Sequence, residues 1–204
     1  MTPEQLKLAA SLEEEGKAYH EAGHAVLQHN FRMELLNVSI QPIAHSGGRA
    51  VARMQHQVEL SQMGVFYEDT PERDKFICHL IMVSLAGEVA QKQFCPDSFE
   101  QYQIGSDEQH VRSLIKEWDR YATSSDREYK IEELYDHTWE LLENPLCVAA
   151  IRAVAGSLLE HKQLTGKQAE ALIRKAMNMA TAKMDGNRWS VVRCPHCEEY
   201  VEEF

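Results

Sequence analysis

Positive charge is in short supply in this sequence: 21 Lys and Arg stand against 32 Asp and Glu, a formal net charge of −11. Phosphate backbones are bound by basic faces, so no nucleic-acid partner is expected. An anionic membrane surface is disfavoured by the same repulsion. Long apolar runs are also lacking. The longest candidate, Leu80 to Ala86, is interrupted by Ser84 and followed by Gly87-Glu88. That is well short of the ~18 apolar residues a transmembrane helix needs, so no membrane span is expected. Met1-Thr2-Pro3-Glu4-Gln5 has neither the basic region nor the apolar core of a signal peptide. The five cysteines are an odd and mostly scattered set. They form no disulfide framework and read as reduced thiols of a cytoplasmic protein. No internal repeat is evident.

A chain of 204 residues is long enough to bury a sizeable core as one domain. The expected organisation is a folded unit over 1–182 and a short tail over 183–204. Thr2-Pro3-Glu4 carries a helix-start signature, and a first helix is predicted to about Gly16. A second is predicted over roughly 17–30. Leu36 to Gln41 alternates apolar and polar residues, the period of a half-buried strand. Gly47-Gly48 signals a turn, and Arg49 to Met54 is predicted to return as a second strand. Residues 56–70 are weakly patterned and read as a loop. Thr70-Pro71-Glu72 opens another helix, whose Phe76 to Phe94 segment is apolar nearly all round and so centrally buried. His79 on it reads as a core or surface histidine. A loop from Cys95 to Gly105 precedes a helix opened by Ser106-Asp107-Glu108. Further helices are predicted at about 126–143, 146–162 and, behind the capping box Thr165-Gly166-Lys167-Gln168, to about Ala180. The fold class is therefore mainly α, with a small sheet beside the second helix.

That second helix carries the chemistry. Ala18-Tyr19-His20-Glu21-Ala22-Gly23-His24-Ala25-Val26 contains His-Glu-x-x-His. Residues four apart on a helix lie one above the other, so His20 and His24 can grip one metal ion, and Glu21 beside them can act as a general base on water held by it. The other reading is a helix with two incidental histidines. A catalytic zinc site needs three protein ligands and one open position. The third is sought near Asp107, in the first turn of a later helix behind a Gly-containing loop. The competing role for Asp107 is a helix N-cap, and Glu108 and Asp97 are fallback ligands. In the tail, Cys194-Pro195-His196-Cys197 is half of a zinc-ribbon site. It fits a zinc knuckle completed by His196 or another chain, a redox pair, or an inert tail.

Four stretches in order, spanning about residues 13 to 180, make the chain similar to the peptidase domain of the FtsH-type zinc metalloproteases. They are the His20–His24 motif with its Ala22-Gly23; Val38-Ser39-Ile40-Gln41-Pro42; Leu85-Ala86-Gly87-Glu88-Val89-Ala90 leading to Gly105-Ser106-Asp107; and Leu158 to Gly166. The resemblance implies a helical zinc metallopeptidase fold with a small sheet next to the metal-binding helix. It implies Zn2+ on His20, His24 and Asp107, Glu21 as base, and a polypeptide substrate. There are departures. The family usually has Arg-Ala-Ala-Glu where this chain has Glu88-Val89-Ala90-Gln91, and its aspartate stands further from its glycine than Asp107 does from Gly105. This leaves the third ligand between Asp107 and Glu108, with Asp107 favoured by the apolar spacing of Val111, Leu114 and Ile115. Nor is there a Gly-x-x-x-x-Gly-Lys-Ser/Thr loop, since Gly166-Lys167-Gln168 lacks both loop and hydroxyl. The expectation is a stand-alone peptidase domain acting on unfolded or short substrates, with a homo-oligomer or a separate ATPase partner left open. The alternative is a catalytically silent metal-binding adaptor built on the same fold.

Overall fold

The computed structural model describes residues 2–41, 49–52, 71–101, 105–118 and 127–182. The weakly patterned stretch at 56–70 and the Cys194–Cys197 tail lie outside them. Helix α1 (Pro3–Asn30) starts where the sequence signals it. The Thr2 hydroxyl accepts from the Gln5 N–H, and the Gln5 side chain accepts from the Thr2 N–H, with Pro3 at the first helical position. This reciprocal pair satisfies two amides that the first turn would otherwise leave open.

The break expected at Gly16 does not occur; α1 is one helix of 28 residues. A Cβ at residue 16 would lie 2.7 Å from Ser98 Cβ and 2.9 Å from Gln91 Nε2. The glycine therefore serves a tertiary contact within the helix and ends nothing. Before Gly16 the helix is largely solvent-exposed. After it, Ala18, Ala22, Ala25, Val26 and Leu27 are fully buried, and the histidine motif lies in that buried half.

Strand β1 (Leu35–Ser39) is the centre of a three-stranded antiparallel sheet, flanked by β2 (Arg49–Ala52) and β3 (Gln163–Thr165). Val38 pairs with Ala50 on one side and Leu164 on the other. A register irregularity falls between Leu35 and Asn37 on the β2 side. The third strand was not foreseen: three residues are too few for alternation to register. Residues 53 and 54 of the expected second strand lie outside the described residues.

Helix α2 (Pro71–Phe94) is the central buried helix that its all-round apolar surface predicts, with Ile77, Cys78, Ile81, Met82, Ala86, Val89 and Ala90 at most 1% exposed. It lies against α1 at close range. A Cβ on Gly23 would come within 2.6 Å of Ala90 Cβ and closer still to the Ala86 carbonyl oxygen, so small residues on both helices set their separation. The expected loop after Cys95 contains a 3-10 turn, Pro96–Gln101, which packs on α1 and α2. Helices α3 (Gly105–Trp118), α4 (Arg127–Glu143), α5 (Pro145–His161) and α6 (Gly166–Thr181) follow. Asn144 caps α5 through its side chain, accepting from the Leu146 N–H, and α4 and α5 meet at 80°. The Thr165–Gln168 capping box opens α6 as expected. Among the described residues no single helix is long and apolar enough to cross a membrane. The architecture is thus mainly helical with one small sheet.

Candidate metal centre

His20 and His24 stand one helical turn apart on α1, their ring centroids 4.6 Å apart and nearly perpendicular. Their Nε2 atoms converge to 3.0 Å. Asp107, 87 residues beyond His20, brings Oδ2 to 2.9 Å from His20 Nε2 and 3.5 Å from His24 Nε2. Two imidazole nitrogens and a carboxylate oxygen bound to one tetrahedral zinc at 2.0–2.1 Å stand about 3.3 Å apart. The observed spacings bracket that value. Among the described residues these three form the group of metal-capable side chains whose ligand atoms lie mutually close.

Helix α3 begins at Gly105, so Asp107 is its third residue, and its carboxylate turns to the histidines instead of capping the helix. The fallback ligands are elsewhere. Glu108 is 62% exposed and paired with Arg112 on the outer face, and Asp97 is exposed. His79 stacks on Phe31, ring centroids 3.9 Å apart. Glu21, the residue expected to act as base, is 3% exposed, and its charge reaches His24.

The donor pattern suits a cation. His24 donates from Nδ1 to the Val83 carbonyl at 2.6 Å, which leaves Nε2 to face the cluster. Burial alone would lower the His24 pKa. The Asp107 charge and hydrogen bond outweigh it, with help from Glu21, and raise it to about 9. For His20 burial wins and the pKa falls, despite the Asp107 hydrogen bond. Burial would raise the Asp107 carboxyl, but the His24 charge and both imidazole hydrogen bonds hold it well below the usual carboxylate range. A half-buried anion beside two buried imidazoles thus already attracts positive charge, supplied in the metal-free chain by a proton on His24.

Helix α2 contributes more than the sequence suggested. A Cβ on Gly87 would lie 2.6 Å from His20 Nε2 and closer still to His24 Nε2; without one, the space in front of both ligand atoms stays open. Ser84 donates to the Leu80 carbonyl at 2.9 Å, so with one proton to give it can only accept, at 3.0 Å, from His110 Nδ1. His110 is one turn beyond Asp107, and burial lowers its pKa. A signal for this face existed. Ser84, Gly87 and Gln91 recur at three- and four-residue spacing on the central buried helix, a small and polar stripe among its apolar residues. Comparison with known proteins adds no assignment: no family model matches the chain, and no curated protein does.

Proposed function

We propose that this protein is a zinc-dependent metalloendopeptidase of the FtsH-like type, with His20, His24 and Asp107 as zinc ligands and Glu21 as general base. The observation that carries the reading is the convergence of Asp107 on the His20–His24 turn, with a buried glutamate between the two histidines in sequence. When bound, zinc supplies Lewis acidity, lowering the pKa of a water it holds to about 7 and polarising a carbonyl. The chain's own residues do the rest. His20, His24 and Asp107 would hold the ion through two imidazole nitrogens and one carboxylate oxygen. Glu21 takes a proton from the attacking water and passes it to the leaving amine. Burial of His20 and His24 would exclude water from their side of the site and strengthen the electrostatics there.

Zinc content and hydrolysis of casein or a short peptide, with and without chelator, test this directly. Zinc-loaded protein should cleave, stop on chelation and recover on zinc addition, and His20→Ala should lose both zinc and cleavage. Zinc bound at His20 without any cleavage would favour the silent adaptor. No zinc at that helix would sink both readings.

A second expectation concerns protons. The proton on His24, whose pKa is about 9, occupies the place an ion must take. Zinc uptake at pH 7 should therefore release on the order of one proton, and zinc affinity should fall as pH falls. The pairing of charged His24 with Asp107 stabilises the metal-free fold fully below the unfolded histidine value of 6.5 and is lost as pH rises through about 9. Calorimetric titration in two buffers of different ionisation heat measures the release. A binding enthalpy independent of buffer would contradict it.

A further inference from the structure

We propose that Ser84 and His110 are positioning residues: their hydrogen bond fixes the rotation of α3 on α2 and so aims Asp107, not Glu108, at His20 and His24. The proposal rests on the metal-centre reading. Ser84 Oγ gives its one proton to the Leu80 carbonyl at 2.9 Å and accepts from His110 Nδ1 at 3.0 Å. Both partners sit beside the site. Ser84 precedes Gly87 by three residues on α2, and His110 follows Asp107 by three on α3. Residues three apart share a helix face. Ser84 is 7% exposed and His110 is half-buried.

Helix α3 needs such a device. Asp107, His110, Val111, Leu114 and Ile115 stand at i, i+3, i+4, i+7 and i+8, one stripe along the helix. Val111, Leu114 and Ile115 are buried, and among the described elements α2 is the one on which α3 packs extensively. Apolar burial is non-directional, so it presses α3 down more firmly than it fixes the angle. A hydrogen bond is directional. Among the described residues, α3 sends two side-chain hydrogen bonds to other elements: Asp107 to His20, and His110 to Ser84. An ion seated among the three ligands would displace the first. The second survives, one turn from the carboxylate.

One turn of α2 then serves the whole group. The Val83 carbonyl orients His24 at 2.6 Å. Ser84, next to it, orients His110 and through it Asp107. Gly87, one turn on, leaves room before both imidazole Nε2 atoms. Glu108 shows the alternative, for on the neighbouring face it pairs with Arg112 in solvent.

The test measures zinc affinity by chelator competition in full-length Ser84→Ala, His110→Leu and His110→Asn. Ser84→Ala and His110→Leu each break the bond and should weaken zinc binding about 10–100-fold, the usual loss for such supporting groups. If His110→Leu does not fold, the smaller change Ser84→Ala decides. His110→Asn keeps an N–H donor near the place of imidazole Nδ1 and should recover most of the affinity. In an Asp107→Ala background the two bond-breaking changes should cost nothing further, since the residue they aim is gone; a general packing role would add its loss there too. Parental affinity in Ser84→Ala would overturn the proposal, as would losses that add to Asp107→Ala or an asparagine that restores nothing. Ring proton–nitrogen spectra of the metal-free proteins give a second readout. Ser84→Ala should move the His20 signals toward those of Asp107→Ala, and unmoved signals would overturn the proposal. If the parent takes up no zinc, the metal reading fails, and these spectra then decide by themselves whether the pair holds Asp107.

Discussion

Glu21→Gln should leave zinc in place and reduce peptide hydrolysis by about 10²- to 10⁴-fold, the range attributed to a positioned general base. The substitution is nearly isosteric at a side chain only 3% exposed, so packing is preserved. Glu21 is absent from the ligand group, so the ion keeps its three protein contacts. What is lost is a carboxylate that can take and return a proton. The charge change has a further consequence. Glu21 helps to hold the proton on His24, so the neutral amide should lower the His24 pKa, and it removes an attraction for a divalent cation as well, so zinc affinity should not rise. Activity should still fall far more than affinity. Zinc content and kcat/KM, measured on the same preparation, distinguish this from unfolding, which would abolish both together. A variant that hydrolyses peptide at the parent's rate would end the assignment of Glu21 as base and, with it, the hydrolase reading.

Gly87→Ala should weaken zinc binding by about 10–100-fold, the equivalent of the roughly 1–3 kcal/mol that overpacking costs. The added methyl would sit 2.6 Å from His20 Nε2 and nearer still to His24 Nε2. It lands on the side of both rings where an ion must be held. The rings can escape only by rotating, and rotation strains the Val83 bond that orients His24. The helix itself is not the victim, because alanine is the better helix former by about 1 kcal/mol. Thermal melting of the metal-free variant should therefore remain cooperative while chelator competition reports a weaker site. Parental zinc affinity in Gly87→Ala would show that the ion, if bound, sits away from this face, and the ligand set would need to be redrawn.

The three residues of the candidate metal group differ in how far they could be read from the sequence. His20 and His24 are legible because the helix period is a local property and four residues make one turn. Asp107 is legible only as the favoured of two adjacent acids, because its convergence depends on how α3 is rotated against α1 across 87 residues of chain. Its neighbour Glu108 has the same chemistry and opposite placement, paired with Arg112 in solvent. One residue of rotation decides between them. Gly16 misled for a related reason. Local propensity makes glycine a helix breaker, yet the contact with Ser98 and Gln91 needs a position without a Cβ. Gln91 read as a departure from a familiar pattern; in the structure its amide donates to Ser98, the residue that also fills the space beside Gly16.

The sequence by itself determined the helical class, the alternation that makes β1, the capping boxes at Thr2 and Thr165, and the paired histidines with their glutamate. All of these follow from periodicities and caps within a few residues. Only the tertiary structure decided which acid joins the histidines, why residues 16 and 87 must be glycine, and how His24 and Gln91 are tied to their hydrogen-bond partners. Those are distances between helices, and they are set by how the small-residue faces of α1 and α2 close on one another, a sum of many contacts that no single stretch of chain encodes.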